Sequence, residues 1–249
     1  MSLENSRTLL VIPCFRESGR IEPFLDALHR VLGNDAGVSV LVVEDGSEAE
    51  EQQRMQWLIE ARRPVWPQLR PLLSLNENLG KGGAVYAGWA AHEGEAWLAF
   101  ADADGSSSAQ EVARVLDCAR TGKGQAVFAS RIKMLGKEVQ RDFHRHILGR
   151  VYATIVSEIL RIPVYDSQCG LKVVPRAAFE KAKSLLSVTG FAFDVELLCA
   201  LLHTGCVVHE EPISWREMSG GKVRLLSDPL RMFRDVLIIR AHRKRWQAV

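Results

Sequence analysis

Short apolar runs end at polar turns at intervals along the first half of the chain, and helical periodicity fills the stretches between them. Thr8–Cys14 (TLLVIPC), Val38–Val43, Leu69–Leu75, Trp97–Ala101 and Ala126–Ser130 have the length and bounding of buried strands. Gly19–Leu32 carries Ile21, Phe24, Leu25, Leu28, Val31 and Leu32 at helical spacing, and Met55, Leu58 and Ile59 mark a second, more polar helix. Asn76–Ala91 is a Gly-rich loop running into a helix, and Val112, Val115, Leu116 and Ala119 mark another. This alternation predicts an α/β fold with a mostly parallel sheet covered by helices on both faces.

After Arg131 the pattern changes. Gln140–Ile162 reads as a long amphipathic helix with Arg141, Arg145, His146 and Arg150 near its start. Gly170–Val174 is a short strand, Arg176–Leu186 and Val195–Thr204 are helices, and Cys206–Trp215 is a last strand. Met218–Lys222 reads as a flexible loop. Pro229–Trp246 closes the chain as a helix packed through Leu230, Phe233, Leu237 and Ile238, with a basic end. A single domain over 1–249 is expected, with one half at about 8–130 and another at about 131–249.

At 249 residues, 47% hydrophobic and 25% charged, the composition is that of a globular chain with a sizeable core. No apolar run is long enough to span a bilayer. The start, MSLENSRTLLVIPC, does not read as a signal peptide, because Glu4 precedes Arg7 and the apolar run stops at Pro13. Five cysteines fit no zinc spacing, and His144, His146, His203 and His209 show no ligand spacing either. A reduced, cytoplasmic chain is expected. Charge is unevenly spread: 12 basic against 18 acidic residues in 1–130, and 20 against 12 in 131–249. The second half suits an anionic acceptor or surface, or its cations clothe exposed helices. Nothing points to nucleic acid.

Three strand ends carry the chemistry: Pro13 to Glu17, Glu44-Asp45-Gly46-Ser47, and Asp102-Ala103-Asp104-Gly105. In an open α/β sheet, ligands bind beyond the carboxyl ends of the strands, where paired carboxylates can share a hard divalent cation with nucleotide phosphates. The same residues also make ordinary turns. Glu17 and Asp45 can accept hydrogen bonds from a base and ribose. Asn78-Leu79-Gly80-Lys81-Gly82-Gly83 lacks the Gly-Lys-Ser/Thr ending of a nucleotide-hydrolase loop.

In that order and spacing, IPCFRE, VVEDGS, NLGKGGA, ADADGS and ASR resemble the inverting family 2 glycosyltransferases of GT-A fold. DSQCGLK (Asp166–Lys172), GFAFDVELL (Gly190–Leu198) and the tail EEPISW…GGKVRLLSDPLRMFRDVLIIR resemble the branch containing the dolichyl-phosphate β-glucosyltransferases and their bacterial polyprenyl-phosphate relatives. The resemblance runs from about Leu9 to Arg240 and implies a metal-dependent hexosyltransferase. UDP-glucose would be the donor and a polyprenyl phosphate the acceptor. It implies that Pro13, Glu17, Asp45, Lys81, Asp102 and Asp104 hold the sugar nucleotide, with Mg²⁺ or Mn²⁺ on Asp102 and Asp104. Arg131 would lie near the phosphates, Asp166 would occupy the position of the base, and Asp194 and Glu196 would border acceptor and sugar.

A hydroxyl acceptor needs a base, whereas a phosphate monoester, with a second pKa near 6, is already mostly ionised at neutral pH. With a phosphate acceptor Asp166 would orient groups, and Arg131, Arg141, Arg145, Lys172 and Lys222 would cradle phosphates. The Gln140–Ile162 stretch and the basic C-terminal helix allow peripheral contact with the inner face of a membrane. The alternatives are mannosyl transfer from GDP-mannose, transfer to a soluble hydroxyl acceptor, a haloacid-dehalogenase-type phosphatase with Asp102 as nucleophile, and a non-catalytic sugar-nucleotide sensor.

Overall fold

The computed structural model describes residues 7–122, 124–140, 154–162, 164–218 and 227–246. In chain order the strands are β1 (Thr8–Cys14), β2 (Val38–Glu44), β3 (Leu73–Ser74), β4 (Trp97–Ala101), β5 (Ala126–Ser130), β6 (Val139–Gln140), β7 (Leu171–Pro175), β8 (Val208–Pro212) and β9 (Trp215–Arg216). The helices are α1 (Glu22–Leu32), α2 (Ala49–Arg62), α3 (Lys81–Ala90), α4 (Ala109–Thr121), α5 (Arg176–Ala182), α6 (Phe193–His203) and α7 (Ser227–Trp246). Residues 154–160 are helical as well.

Seven strands form the central sheet in the order β3-β2-β1-β4-β7-β5-β8. Every pairing is parallel except those of β7, which runs antiparallel between β4 and β5. Both faces are covered, so the strands read as continuous apolar runs rather than as alternating ones. Leu10, Ile12, Val40, Val42, Ala99 and Ala101 face a core completed by α1, α2 and α4. Their neighbours Leu9, Val11, Leu41, Val43, Leu98 and Phe100 face a second core, completed by α3, α6 and the C-terminal helix.

Four expectations are corrected. The Leu69–Leu75 strand shrinks to an isolated bridge from Leu69 to Val40 and the two residues of β3, because Pro71 between them has no N–H to pair. The Cys206–Trp215 strand breaks after Pro212, and β9 leaves the main sheet to pair in parallel with β6. Val139–Gln140 is therefore strand rather than the start of a helix; of the expected Gln140–Ile162 helix, 141–153 lie outside the described residues, and 154–160 bury Val156 and Leu160. Finally, α7 packs through Val236 and Ile239, leaving Phe233 41% and Leu237 44% exposed.

Helix α3 comes closest to the sheet where it has no side chain. A Cβ on Gly88 would lie 2.8 Å from Val11 Cγ2 and 2.9 Å from Val43 Cγ2. Both valines stand on central strands, so neither can retreat without moving backbone. Gly88→Ala is expected to destabilise the fold by about 1–3 kcal/mol. Gly94→Ala, with nothing within 4 Å of the added carbon, should change stability by less than about 0.5 kcal/mol. Urea midpoints of the two variants check this; equal midpoints would contradict it.

Candidate active site

Because β1, β2, β4 and β5 run in one direction, the residues that follow them emerge at one edge of the sheet. Strand β7 enters from that same edge, which brings the segment before it beside the end of β4. Six of the residues picked out by sequence, Pro13, Glu17, Asp45, Lys81, Asp102 and Asp104, line one cleft of about 1100 Å³. Its opposite wall includes Thr189, Gly190, Arg231, Arg234 and Asp235.

The end of β4 is tightly built. The Asp102 N–H donates to Gly170 O at 2.9 Å. Its carboxylate lies over Gly170, where a Cβ would meet Oδ2 at 2.0 Å. Lys81 Nζ stands 2.6 Å from Asp102 Oδ1. Burial opposes the charge on Lys81, but Asp102 and Asp194 outweigh it and raise the ammonium above its ordinary pKa. Asp104 Oδ1 accepts from Ser106 N at 2.9 Å. Burial, and then the negative charge of Asp102, push the Asp104 carboxyl up. Asp102 and Asp104, one residue apart at the cleft, form an all-oxygen donor set, which fits a hard divalent cation.

Four backbone N–H groups of the glycine-rich loop are turned to protein partners rather than to the cleft. Asp45 accepts from Leu79 N at 2.8 Å and Gly80 N at 3.0 Å, while Thr189 O accepts from Gly82 N at 2.7 Å and Gly83 N at 3.2 Å. Burial pushes the Asp45 carboxyl up to about 6 against the pull of those two N–H groups. Asp45 thus anchors the start of α3 as well as facing the cleft. Glu17 is likewise engaged, with both carboxylate oxygens taking Arg20.

Arg131 and Asp166 meet as a paired fork. Nε and Nη2 donate to Oδ2 and Oδ1 at 2.6 and 2.8 Å, and Arg131 N adds a third bond at 3.0 Å. The guanidinium also sits 5.4 Å from the centre of the Trp215 ring. Glu210 of β8 accepts from Tyr165 N and Asp166 N at 2.9 and 2.7 Å, fixing the turn from below. Burial favours the neutral acid at Asp166, but the Arg131 charge and hydrogen bonds outweigh it and hold the carboxyl well below the usual carboxylate range.

Three residues expected to contact the acceptor lie inside the protein instead. Lys172 is fully buried between Phe100 and Phe128, 5.3 and 5.1 Å from their ring centres, with Nζ 3.4 Å from Asp194 Oδ2. Asp194 is 2% exposed, and its Oδ1 has no hydrogen-bond partner among the described residues. Glu196 is wholly buried; it accepts from Ser187 N and Val188 N, each at 2.7 Å, and from Ser187 Oγ at 2.9 Å. Lys172 and Asp194 support the site from behind, and Glu196 holds the segment just before the Thr189 wall. Arg141, Arg145 and Lys222 lie outside the described residues. Arg20, Arg231 and Arg234 also line the cleft; the only sequence signal for Arg20 is its position one helical turn after Glu17, and the helical pattern alone does not set Arg231 and Arg234 apart.

Residues 9–182 match the model of the family described as glycosyl transferase family 2. The chain is similar to a dolichyl-phosphate beta-glucosyltransferase of Saccharomyces cerevisiae, 32% identical over 246 residues, covering 93% of this chain and 73% of that protein. It is also similar to a polyprenol monophosphomannose synthase of Mycolicibacterium smegmatis, 27% identical, covering 88% and 83%. In fold it resembles the glucosyl-3-phosphoglycerate synthase of Mycobacterium tuberculosis solved with Mn²⁺, uridine diphosphate and phosphoglyceric acid, with a TM-score of 0.70 at 18% identity over 97% of this chain and 81% of that one. The sheet is that of a GT-A fold, and the phosphatase alternative falls away. The chain belongs to glycosyl transferase family 2, and it is a glycosyltransferase.

Proposed function

We propose that the protein transfers glucose from UDP-glucose to a polyprenyl phosphate, with inversion and with the help of Mg²⁺ or Mn²⁺. The observation that carries the acceptor is the state of Asp166. A carboxylate locked into a fork with Arg131 and held at low pKa is a poor proton acceptor, so it is badly suited to activating a hydroxyl. A phosphate monoester needs no such help. The glucosyl choice rests on the resemblance to dolichyl-phosphate beta-glucosyltransferases. The similarity to a polyprenol monophosphomannose synthase keeps GDP-mannose as the second reading.

The acceptor phosphate oxygen attacks the anomeric carbon as the bond to the nucleoside diphosphate breaks and its electron pair leaves on the diphosphate. Asp102 and Asp104 would hold the divalent ion, which supplies neutralisation of the leaving diphosphate. Lys81 adds a cation on the same side, and Arg131, oriented by Asp166, adds one toward the acceptor. Peripheral membrane contact is supported by α7, where exposed Phe233 and Leu237 stand among the exposed Arg234, Arg240 and Lys244 beside the cleft. No described helix is long and apolar enough to cross a membrane.

Label from UDP-glucose should pass to a short polyprenyl phosphate in detergent, stop on adding a chelator and return with Mn²⁺ or Mg²⁺. Labelling from GDP-mannose alone would select the second reading.

Asp104→Ala should lower kcat/KM by about 10²–10³-fold. Asp166→Asn should cost no more than about 10-fold, against the roughly 10²–10⁴-fold of a lost base. At saturating donor, activity should fall as pH drops through about 6, where the acceptor phosphate takes up its second proton. That acid limb should persist in Asp166→Asn; its disappearance would make Asp166 the base.

A further inference from the structure

The sheet edge farthest from β3 carries a cluster that the transfer reaction does not use. Helix α4 places Cys118 over β8, and the two-residue period of that strand sets His209 and Glu211 on the face beneath it. Glu211 Oε2 is the meeting point: His209 Nε2 is 2.9 Å away and Cys118 Sγ 3.8 Å. The three ligand atoms all lie within 4.8 Å of one another. Tetrahedral zinc, with bonds of about 2.0–2.3 Å, wants its ligand atoms about 3.3–3.8 Å apart, so a small closure of side chains suffices.

Glu211 is also aimed from behind. Arg114 of α4 takes the other oxygen, Oε1, and its Nη2 donates to Pro212 O at 2.6 Å. This leaves Oε2 turned toward Cys118 and His209, the arrangement by which an outer partner orients a metal-binding carboxylate. The His209 side chain is 47% exposed and Glu211 19%, which leaves an entry path and room for a water as fourth ligand.

We propose that Cys118, His209 and Glu211 form a zinc site that pins α4 to the edge strand β8. Thiolate, imidazole and carboxylate together select a borderline-soft ion, unlike the all-oxygen pair Asp102 and Asp104. The thiol gives its proton to solvent as the ion binds. The pin bears on the reaction centre through the strand itself: Glu210, between the two ligands, holds the turn that carries Asp166. It also fixes β8, the last strand of the sheet formed by the described residues.

The test uses the whole chain with excess Mg²⁺ present, so that the cleft carboxylates meet a hard ion. Co²⁺ is titrated as the spectroscopic probe, and Zn²⁺ in competition with it. One equivalent should bind with a thiolate-to-cobalt charge-transfer band, and Zn²⁺ should displace it and raise the melting temperature. Cys118→Ser should remove the band, and His209→Ala should weaken Zn²⁺ binding by more than the roughly 10- to 100-fold of an outer-shell loss. Cys206→Ser, the control on a neighbouring thiol, should behave as wild type. Circular dichroism and the melting temperature without metal establish that each variant is folded. A wild-type protein without the band, or a band that survives in Cys118→Ser, overturns the proposal.

Discussion

The carboxylate of Asp102 is pressed between a backbone and an ammonium, and much of the site follows from that contact. Its N–H continues the β4–β7 ladder onto Gly170, its oxygens occupy the space a Cβ would fill there, and Lys81 closes the third side. Three separate segments must therefore meet at one point: the end of β4, the start of β7 and the first residue of α3. A side chain at position 170, or a shift of α3 away from the sheet, would displace the carboxylate. Two glycines of α3 serve the same constraint: Gly88 lets the helix sit close to β1 and β2, and Gly82 lets its start approach Phe193 of α6.

Among the described strands of the central sheet, the antiparallel β7 is what brings the ends of β4 and β5 together with the segment before it. In a purely parallel sheet, the segment before β7 would lie at the opposite edge from the carboxyl ends of β1, β2 and β4. Reversing β7 brings Asp166 to Cys169 to the functional edge, beside Arg131 at the end of β5. Charges of both signs then alternate behind the cleft, with Lys81 on Asp102, Lys172 on Asp194 and Arg131 on Asp166. In each of these three pairs a charge meets its counter-charge, which is the condition under which ions tolerate burial.

What could be read from the sequence was whatever depended on local order. Apolar runs ending in Asp, Gly and Ser located β1, β2, β4 and β5, and their common direction is enough to collect Glu17, Asp45, Asp102 and Asp104 at one edge. Lys172 misled because a lysine between Leu171 and Val173 looks solvent-facing, and only the second layer of helices makes its face a core. The inner face of α7 was mistaken because Phe233 with Leu237 and Val236 with Ile239 are both helical stripes, and tertiary packing chose the second. Cys118, His209 and Glu211 escaped spacing rules because their approach comes from packing α4 against a strand distant in sequence.

The protonation tendencies of the carboxyls also argue for the direction of the chemistry. An enzyme that deprotonates a hydroxyl places a carboxyl of raised pKa on the acceptor side. Here the raised ones around the cleft are Asp104 and Asp194, both within the field of Asp102, Asp45 at the start of α3, and Asp235 on α7 in the opposite wall. Beside Arg131 the carboxyl of Asp166 is lowered instead, as are Glu111 and Glu211 on Arg114 away from the cleft. A cation beside Asp104 would favour its ionised form, but nothing comparable would make Asp166 basic while Arg131 remains its partner. Under the proposed function the acceptor would arrive already charged, and Asp166 would aim a guanidinium rather than take a proton.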